Sequence, residues 1–132
     1  ELTALRLLAP SWVVGAHGVA MLQAWTQPEV QQWLQASLVQ LRDWKSQQLQ
    51  LCERLGWQVL PGSLANYFVA RWPEHLHTAM PQWLAALRAQ SIKLRDATSF
   101  GLPGCVRLGV LPPASQRVLE QAWQELALKE LV

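Results

Sequence analysis

The sequence predicts an α+β fold: a two-layer small domain with a mostly antiparallel sheet of three to four strands covered by helices, entered through a long N-terminal linking helix. Three observations carry this prediction. An apolar stripe at helical spacing runs from Pro28 to about Leu55. The period then shortens to that of strands over residues 57–70, and again over 92–110, each time around turn-forming residues. Helical spacing returns after Pro73 and after Pro112-Pro113.

Taken in order, Leu2 to Leu8 is a short apolar helical segment stopped by Pro10, and Ser11 is a cap for a second helix running through Trp25. That helix is apolar nearly all round and carries Gly15, Ala16, Gly18 and Ala20, so it is expected to pack on more than one side. Thr26-Gln27-Pro28-Glu29 has the form of a capping box with proline in the first turn. The helix it opens spans roughly 40 Å, with Val30, Trp33, Leu34, Leu38, Leu41, Trp44, Leu51, Cys52 and Leu55 on one stripe and Gln31, Gln35, Arg42, Lys45 and Gln48 elsewhere.

Gly56 is placed to end this helix as a glycine at the first position past its cap. Residues 57–60 and 65–70 read as strands joined through Pro61-Gly62-Ser63. Pro73-Glu74 opens a helix with Leu76, Met80, Trp83, Leu84 and Leu87 in phase, and Pro81 requires a kink or a restart there. Strands follow at 92–95 and 105–110, and the last helix presents Val118, Leu119, Ala122, Trp123 and Leu126 on one face.

Length and composition bound the function. With 132 residues the chain is one domain's worth, 1–132, able to bury its own core. Only 15% of residues are charged, against roughly 25% in typical soluble domains, and eight are tryptophan; both suggest a surface covered in its natural setting. Eleven basic against nine acidic residues, with no basic cluster, argue against nucleic acid. Cys52 and Cys105 lie far apart without metal-ligand spacing and read as buried thiols of a cytoplasmic protein. Residues 7–28 carry no Asp, Glu, Lys or Arg, yet their prolines, glycines and glutamines make them too polar to span a membrane comfortably.

Candidate chemistry is sparse. His75 and His77 do not share a helical face as a metal pair would, and read as a solvated helix end. His17 is a lone imidazole in an apolar helix, and Lys45, Lys93 and Lys129 sit in no setting suited to Schiff-base chemistry. Arg95 and Arg107 remain, each inside an alternating strand pattern. One reading makes them surface ion-pair residues, Arg95 with Asp96, worth little to stability. The other makes Arg107 a planar fork held on a rigid strand to grip a carboxylate, with Arg95 supplying a second guanidinium for a doubly anionic substrate.

Several segments together resemble a known family. These are Leu5 to Trp12, the long helix, Leu55-Gly56-Trp57-Gln58-Val59-Leu60-Pro61, Ala65-Asn66-Tyr67-Phe68, Ile92-Lys93-Leu94-Arg95-Asp96 and Leu102-Pro103-Gly104-Cys105-Val106-Arg107-Leu108-Gly109-Val110. In order and spacing the chain resembles the C-terminal small domain of fold type I pyridoxal-phosphate enzymes (aminotransferase class I/II), in the branch of threonine-phosphate decarboxylase and histidinol-phosphate aminotransferase. The resemblance implies that Arg107 binds the substrate α-carboxylate, that Arg95 helps hold its anionic groups, and that Asn66 is structural. The run from Asp96 to Gly104 looks more like the decarboxylase of cobalamin biosynthesis. The chain departs from the family at Gly15, where many relatives carry asparagine.

By the same resemblance, the Schiff-base lysine and the groups that hold pyridoxal phosphate belong to a large domain upstream of Glu1. The chain alone is then expected to be inactive and to bind no cofactor. Its expected partners are that large domain and a phosphorylated amino-acid substrate, with no nucleic acid and no membrane, in a homodimeric cytoplasmic parent. The resemblance predicts that Arg95 and Arg107 emerge on one exposed side of the sheet. A contrasting expectation is a non-catalytic interaction module that binds another protein through Trp33, Trp44 or Trp123.

Overall fold

In the computed structural model, which describes residues 2–8 and 14–130, the elements in order are α1 (Leu2–Leu8), α2 (Ala16–Trp25), α3 (Pro28–Arg54), β1 (Gln58–Val59), β2 (Tyr67–Arg71), α4 (Met80–Ala89), β3 (Arg95–Asp96), β4 (Cys105–Gly109) and α5 (Pro113–Glu130). Short 3₁₀ turns occupy Glu74–Leu76 and Thr98–Phe100. The chain divides into two compact units, Glu1–Val39 and Gln40–Val132. An α+β fold with a four-stranded antiparallel sheet and a long N-terminal helix is thus observed.

The first unit corrects two expectations. Helix α2 begins at Ala16, after Gly15 in extended conformation (φ −68°, ψ 168°), and none of its residues is buried. The Ser11 cap lies outside the described residues. Apolar periodicity reports what a helix can bury and not what covers it, and here Met21 and Leu22 stay exposed. The capping box does not form either. Thr26 is the C-cap of α2, and its hydroxyl donates back to the Gln23 carbonyl at 2.8 Å. The reason is the short gap between helices: Thr26 still belongs to the last turn of α2, so its hydroxyl reinforces the bond that its own N–H makes to the Gln23 carbonyl at 3.2 Å.

Helix α3 is a single 27-residue helix. It ends as predicted at Gly56, which adopts φ +74°. The N–H of Gly56 bonds the Glu53 carbonyl at 3.0 Å, and that of Trp57 bonds the Cys52 carbonyl at 2.8 Å, the paired closure that a left-handed glycine permits. One assignment on this helix is overturned. Gln48, expected off the apolar stripe, is 2% exposed, because the stripe passes from Trp44 through position 48 to Leu51 and Cys52 at i+4 and i+3 steps.

The second unit is built on the sheet, with strand order β1-β2-β4-β3, antiparallel throughout. Phe68 and Ala70 of β2 and Val106 and Leu108 of β4 alternate onto one face and join the core with Leu51, Leu87 and Leu119 from the helices. Trp57, Trp72, Trp83 and Trp123 stack at its centre, with ring centroids 4.4–6.1 Å apart. Trp123, offered above as a partner-binding residue, is 6% exposed and belongs to this core, whereas Trp33 is 64% exposed. Much of the tryptophan content therefore serves the interior.

Around this core Pro81 enforces a restart rather than a kink: the 3₁₀ turn ends at Leu76, and α4 begins at Met80 with proline in its first turn. On α5, Leu119, Ala122 and Trp123 are buried, but Val118, predicted to join them, is 51% exposed. The buried arc is narrow and is completed by Gln116 instead. His77 is not a solvated end: its Nε2 lies 2.9 Å from the Trp72 carbonyl oxygen. Cys52 and Cys105 are buried free thiols, as expected. Among the described residues, no helix is long and apolar enough to cross a membrane.

Candidate functional site

The face of the sheet opposite the core presents Tyr67, Val69 and Arg71 from β2, Arg107 from β4 and Arg95 from β3. Arg95 and Arg107 are direct cross-strand partners in the β3–β4 ladder, and Val69 stands opposite Arg107 on its other side. Cross-strand partners project to the same face with Cβ atoms roughly 4.5–5.5 Å apart. The two predicted site residues are therefore brought together on one side of the sheet. Arg95 is exposed and Arg107 half-buried.

The ion-pair alternative is not what forms. Asp96 Oδ1 accepts the Thr98 N–H at 2.8 Å, which turns this carboxylate into the loop beyond β3. Among the described residues, the ion pair is Arg54–Glu120 at 3.0 Å, and neither Arg95 nor Arg107 has a carboxylate partner. Their neighbours are aromatic instead. Arg95 Cζ lies 4.9 Å from the Phe100 ring centre, and Arg107 Cζ lies 5.1 Å from that of Tyr67 and 6.0 Å from that of Phe100. These are cation–π distances, and they leave the N–H forks free to donate.

The strand that carries Arg107 is anchored at its exit by two glutamines that sequence reading missed. Gln48 Nε2 donates to the Gly109 carbonyl at 3.0 Å, and its Oε1 accepts the Leu111 N–H at 3.0 Å. Gln116 Nε2 donates to the Leu111 carbonyl at 2.8 Å and to that of Trp44 at 2.9 Å. Both main-chain groups of Leu111 are thus held by buried amides from α3 and α5. Gln48 was findable from the phase of its helix. Tyr67 and Phe100 had no comparable signal, since their role depends on a register that the sequence does not display.

Asn66 acts through its main chain, its carbonyl accepting the Val110 N–H at 2.9 Å, with the residue itself exposed. His75 borders an apolar cavity of about 440 Å³ with Leu55, Pro73, Leu76, Trp83 and Trp123, on the helical layer and away from the arginines. Lys45 is committed to the loop after β1, its Nζ donating to the Ser63 carbonyl at 2.6 Å and the Ala65 carbonyl at 3.0 Å. Among the described residues no cluster of His, Cys, Asp and Glu is suited to a metal.

Comparison with known proteins agrees with this architecture. A crystal structure of a candidate aminotransferase from Burkholderia pseudomallei K96243 superposes with a TM-score of 0.58 at 23% identity, over 70% of this chain and 27% of that one. The likeness is one of fold, and the chain spans about a quarter of that protein's length. No curated protein matches. The family model of aminotransferase class I and II matches residues 2–126, nearly the whole chain. The chain belongs to the aminotransferase class I and II family.

Proposed function

We propose that this chain is the substrate-recognition domain of a pyridoxal-phosphate-dependent threonine-phosphate decarboxylase, with Arg107 gripping the substrate carboxylate and Arg95 helping to hold its phosphate. The observation that carries the reading is the direct pairing of Arg95 with Arg107 on the open face of the sheet, without a carboxylate partner for either among the described residues. Like charges placed directly opposite each other destabilise a strand pair, and a small dianion relieves that cost through charge-assisted, bidentate hydrogen bonds. A ligand with a carboxylate at one end and a phosphate at the other matches two guanidinium groups side by side.

The chain's own lysines do not fit a covalent cofactor site. Lys45 is occupied by loop carbonyls, and Lys93 and Lys129 are exposed. Pyridoxal phosphate, which supplies an electron sink when bound, is therefore assigned to a large domain of a homodimeric parent enzyme. That domain would also cover the open apolar residues Met21, Leu22 and Trp33. Buried, unpaired thiols suit a cytoplasmic setting. This chain's contribution is positional: two-point attachment of the substrate fixes which bond at its Cα is offered for reaction.

In the full-length enzyme, Arg107→Ala is expected to lower kcat/KM for threonine phosphate by roughly a hundredfold or more, with the cofactor absorbance unchanged. Loss of the cofactor band, or unaltered kinetics, would count against the assignment. The family match favours one second reading, an aminotransferase, for which the proposed substrate is histidinol phosphate or another amino compound. Release of carbon dioxide without an amino acceptor supports the decarboxylase. An obligatory 2-oxo acid acceptor supports the aminotransferase.

A further inference from the structure

Phe100 is within cation–π range of both arginines, at 4.9 Å from Arg95 Cζ and 6.0 Å from Arg107 Cζ. Two such distances to one ring bring the guanidinium carbons within about 11 Å of each other. The ring is 53% exposed, and Tyr67, the other ring on Arg107, is 45% exposed. Neither aromatic is therefore spent on the core, where Trp57, Trp72, Trp83 and Trp123 already fill the centre. A large exposed apolar ring in contact with two cations calls for an account other than packing.

Its position is set by the loop and not by the arginines. Asp96 Oδ1 accepts the Thr98 N–H at 2.8 Å. The Phe100 N–H donates to the Ala97 carbonyl and the Gly101 N–H to the Thr98 carbonyl, both at 2.9 Å. Gly101 then leaves the turn at φ +77°, a conformation favourable to glycine. The ring is thus presented by a self-bonded turn. Two free arginines facing each other across a strand pair tend to splay apart, and each loses rotamer freedom when a ligand fixes it. A ring attracting both lowers that cost in advance.

We infer that Phe100 is a positioning residue that holds Arg95 and Arg107 together as one clamp for a doubly anionic ligand, with Tyr67 as a second support for Arg107. The inference rests on the reading of the arginine pair as the substrate grip. It also assigns specificity: a clamp with two prearranged forks selects ligands carrying both a carboxylate and a phosphate over ligands carrying one of them.

The test uses full-length enzyme and reads apparent binding of O-phospho-L-threonine as its KM in steady-state kinetics and, separately, that of inorganic phosphate as its inhibition constant. For Phe100→Leu, binding of O-phospho-L-threonine weakens roughly tenfold and that of inorganic phosphate changes less, with the thermal midpoint unaltered because the ring is half exposed. Phe100→Trp, which retains an aromatic face, binds within about twofold of the parent. If Phe100→Leu binds as the parent does while Arg107→Ala has lost binding, the clamp role is wrong and the substrate grip stands. Equal weakening in Phe100→Leu and Phe100→Trp also overturns the role, because the ring face is then not what acts. Undiminished binding by Arg107→Ala, or no binding by the parent, removes the grip itself and the inference with it.

Discussion

Replacing Gln48 by methionine tests what holds the exit of the arginine-bearing strand. The side chains have similar volume, so the site stays filled and the change is one of hydrogen bonding. Gln48 makes two bonds, to the Gly109 carbonyl and from the Leu111 N–H, each 3.0 Å long. A typical bond contributes about 0.5–1.5 kcal/mol net, and a buried group left unpaired costs about 1–3 kcal/mol. Residues 109 and 111 are themselves exposed, so water can recover part of the loss. The expected destabilisation is about 2 kcal/mol, which lowers the thermal midpoint by roughly 6–12 °C for a domain of this size. Thermal and urea unfolding measure it. Gln116→Met provides the second leg of a cycle, and because both amides act on Leu111, the double variant should depart from additivity by at least about 0.5 kcal/mol. A midpoint within a degree of the parent, or simple additivity of the two losses, would show that the amides do not hold Leu111 jointly.

Two further outcomes follow from the same geometry. Gly104 has φ +69°, and a Cβ there would lie 2.4 Å from the His77 ring; Gly104→Ala should therefore cost about 1–3 kcal/mol in urea unfolding, with His77→Ala restoring the steric part and not the strain, and an unchanged midpoint would contradict the contact. The Cys52 thiol is pushed up from 9.0 to about 12, by burial first and by the neighbouring Glu53 carboxylate second. Its contribution is fully present below pH 9 and falls as pH rises toward 12, where the unfolded chain releases a proton that the folded chain keeps. Unfolding across that window should show a downward slope that is reduced in Cys52→Ala, and a thiol reagent at pH 8 should label Cys52 only after denaturation; fast labelling of the native protein would refute its burial.

The order of elements, the end of α3 at Gly56 and the positions of three strands were legible because each has a local cause: helical periodicity, a left-handed glycine, alternation between turns; the strand expected at 92–95 instead forms at Arg95–Asp96, because ladder pairing with β4 begins only there. The features that escaped depend on tertiary pairing. Thr26 looked like an N-cap because its spacing to Glu29 is right, but a hydroxyl can serve the helix behind it as readily as the one ahead. Gln48 is expected off the apolar stripe and Gln116 carries no expectation, although both buried positions are polar because main-chain groups at the exit of β4 have to be satisfied there. For the candidate site, the two arginines could be named from the strand pattern and the family resemblance, while the rings that touch them could not. Phe100 reaches Arg95 and Arg107 through a turn whose course is not periodic.

That turn also decides whether the arginines meet at all. Side chains alternate across a strand, so slipping β3 by one residue against β4 would send Arg95 to the core side and place Asp96 opposite Arg107. The observed register is enforced by the loop between the strands. The Ala97 N–H donates to the Cys105 carbonyl at 2.9 Å, extending the ladder beyond Asp96–Val106. The Cys105 N–H returns to the Leu102 carbonyl at 3.3 Å, and the chain turns through Gly101 and Gly104, both at positive φ. Gly104 is further confined by His77, which is tied in turn to the Trp72 carbonyl beside the tryptophan core. A slip would therefore have to break the loop's own bonds and move a residue packed against the interior. The arginine pairing is inherited from the core through His77 and Gly104, which makes this loop, more than either arginine alone, the part of the chain that brings the two guanidinium groups to one open face.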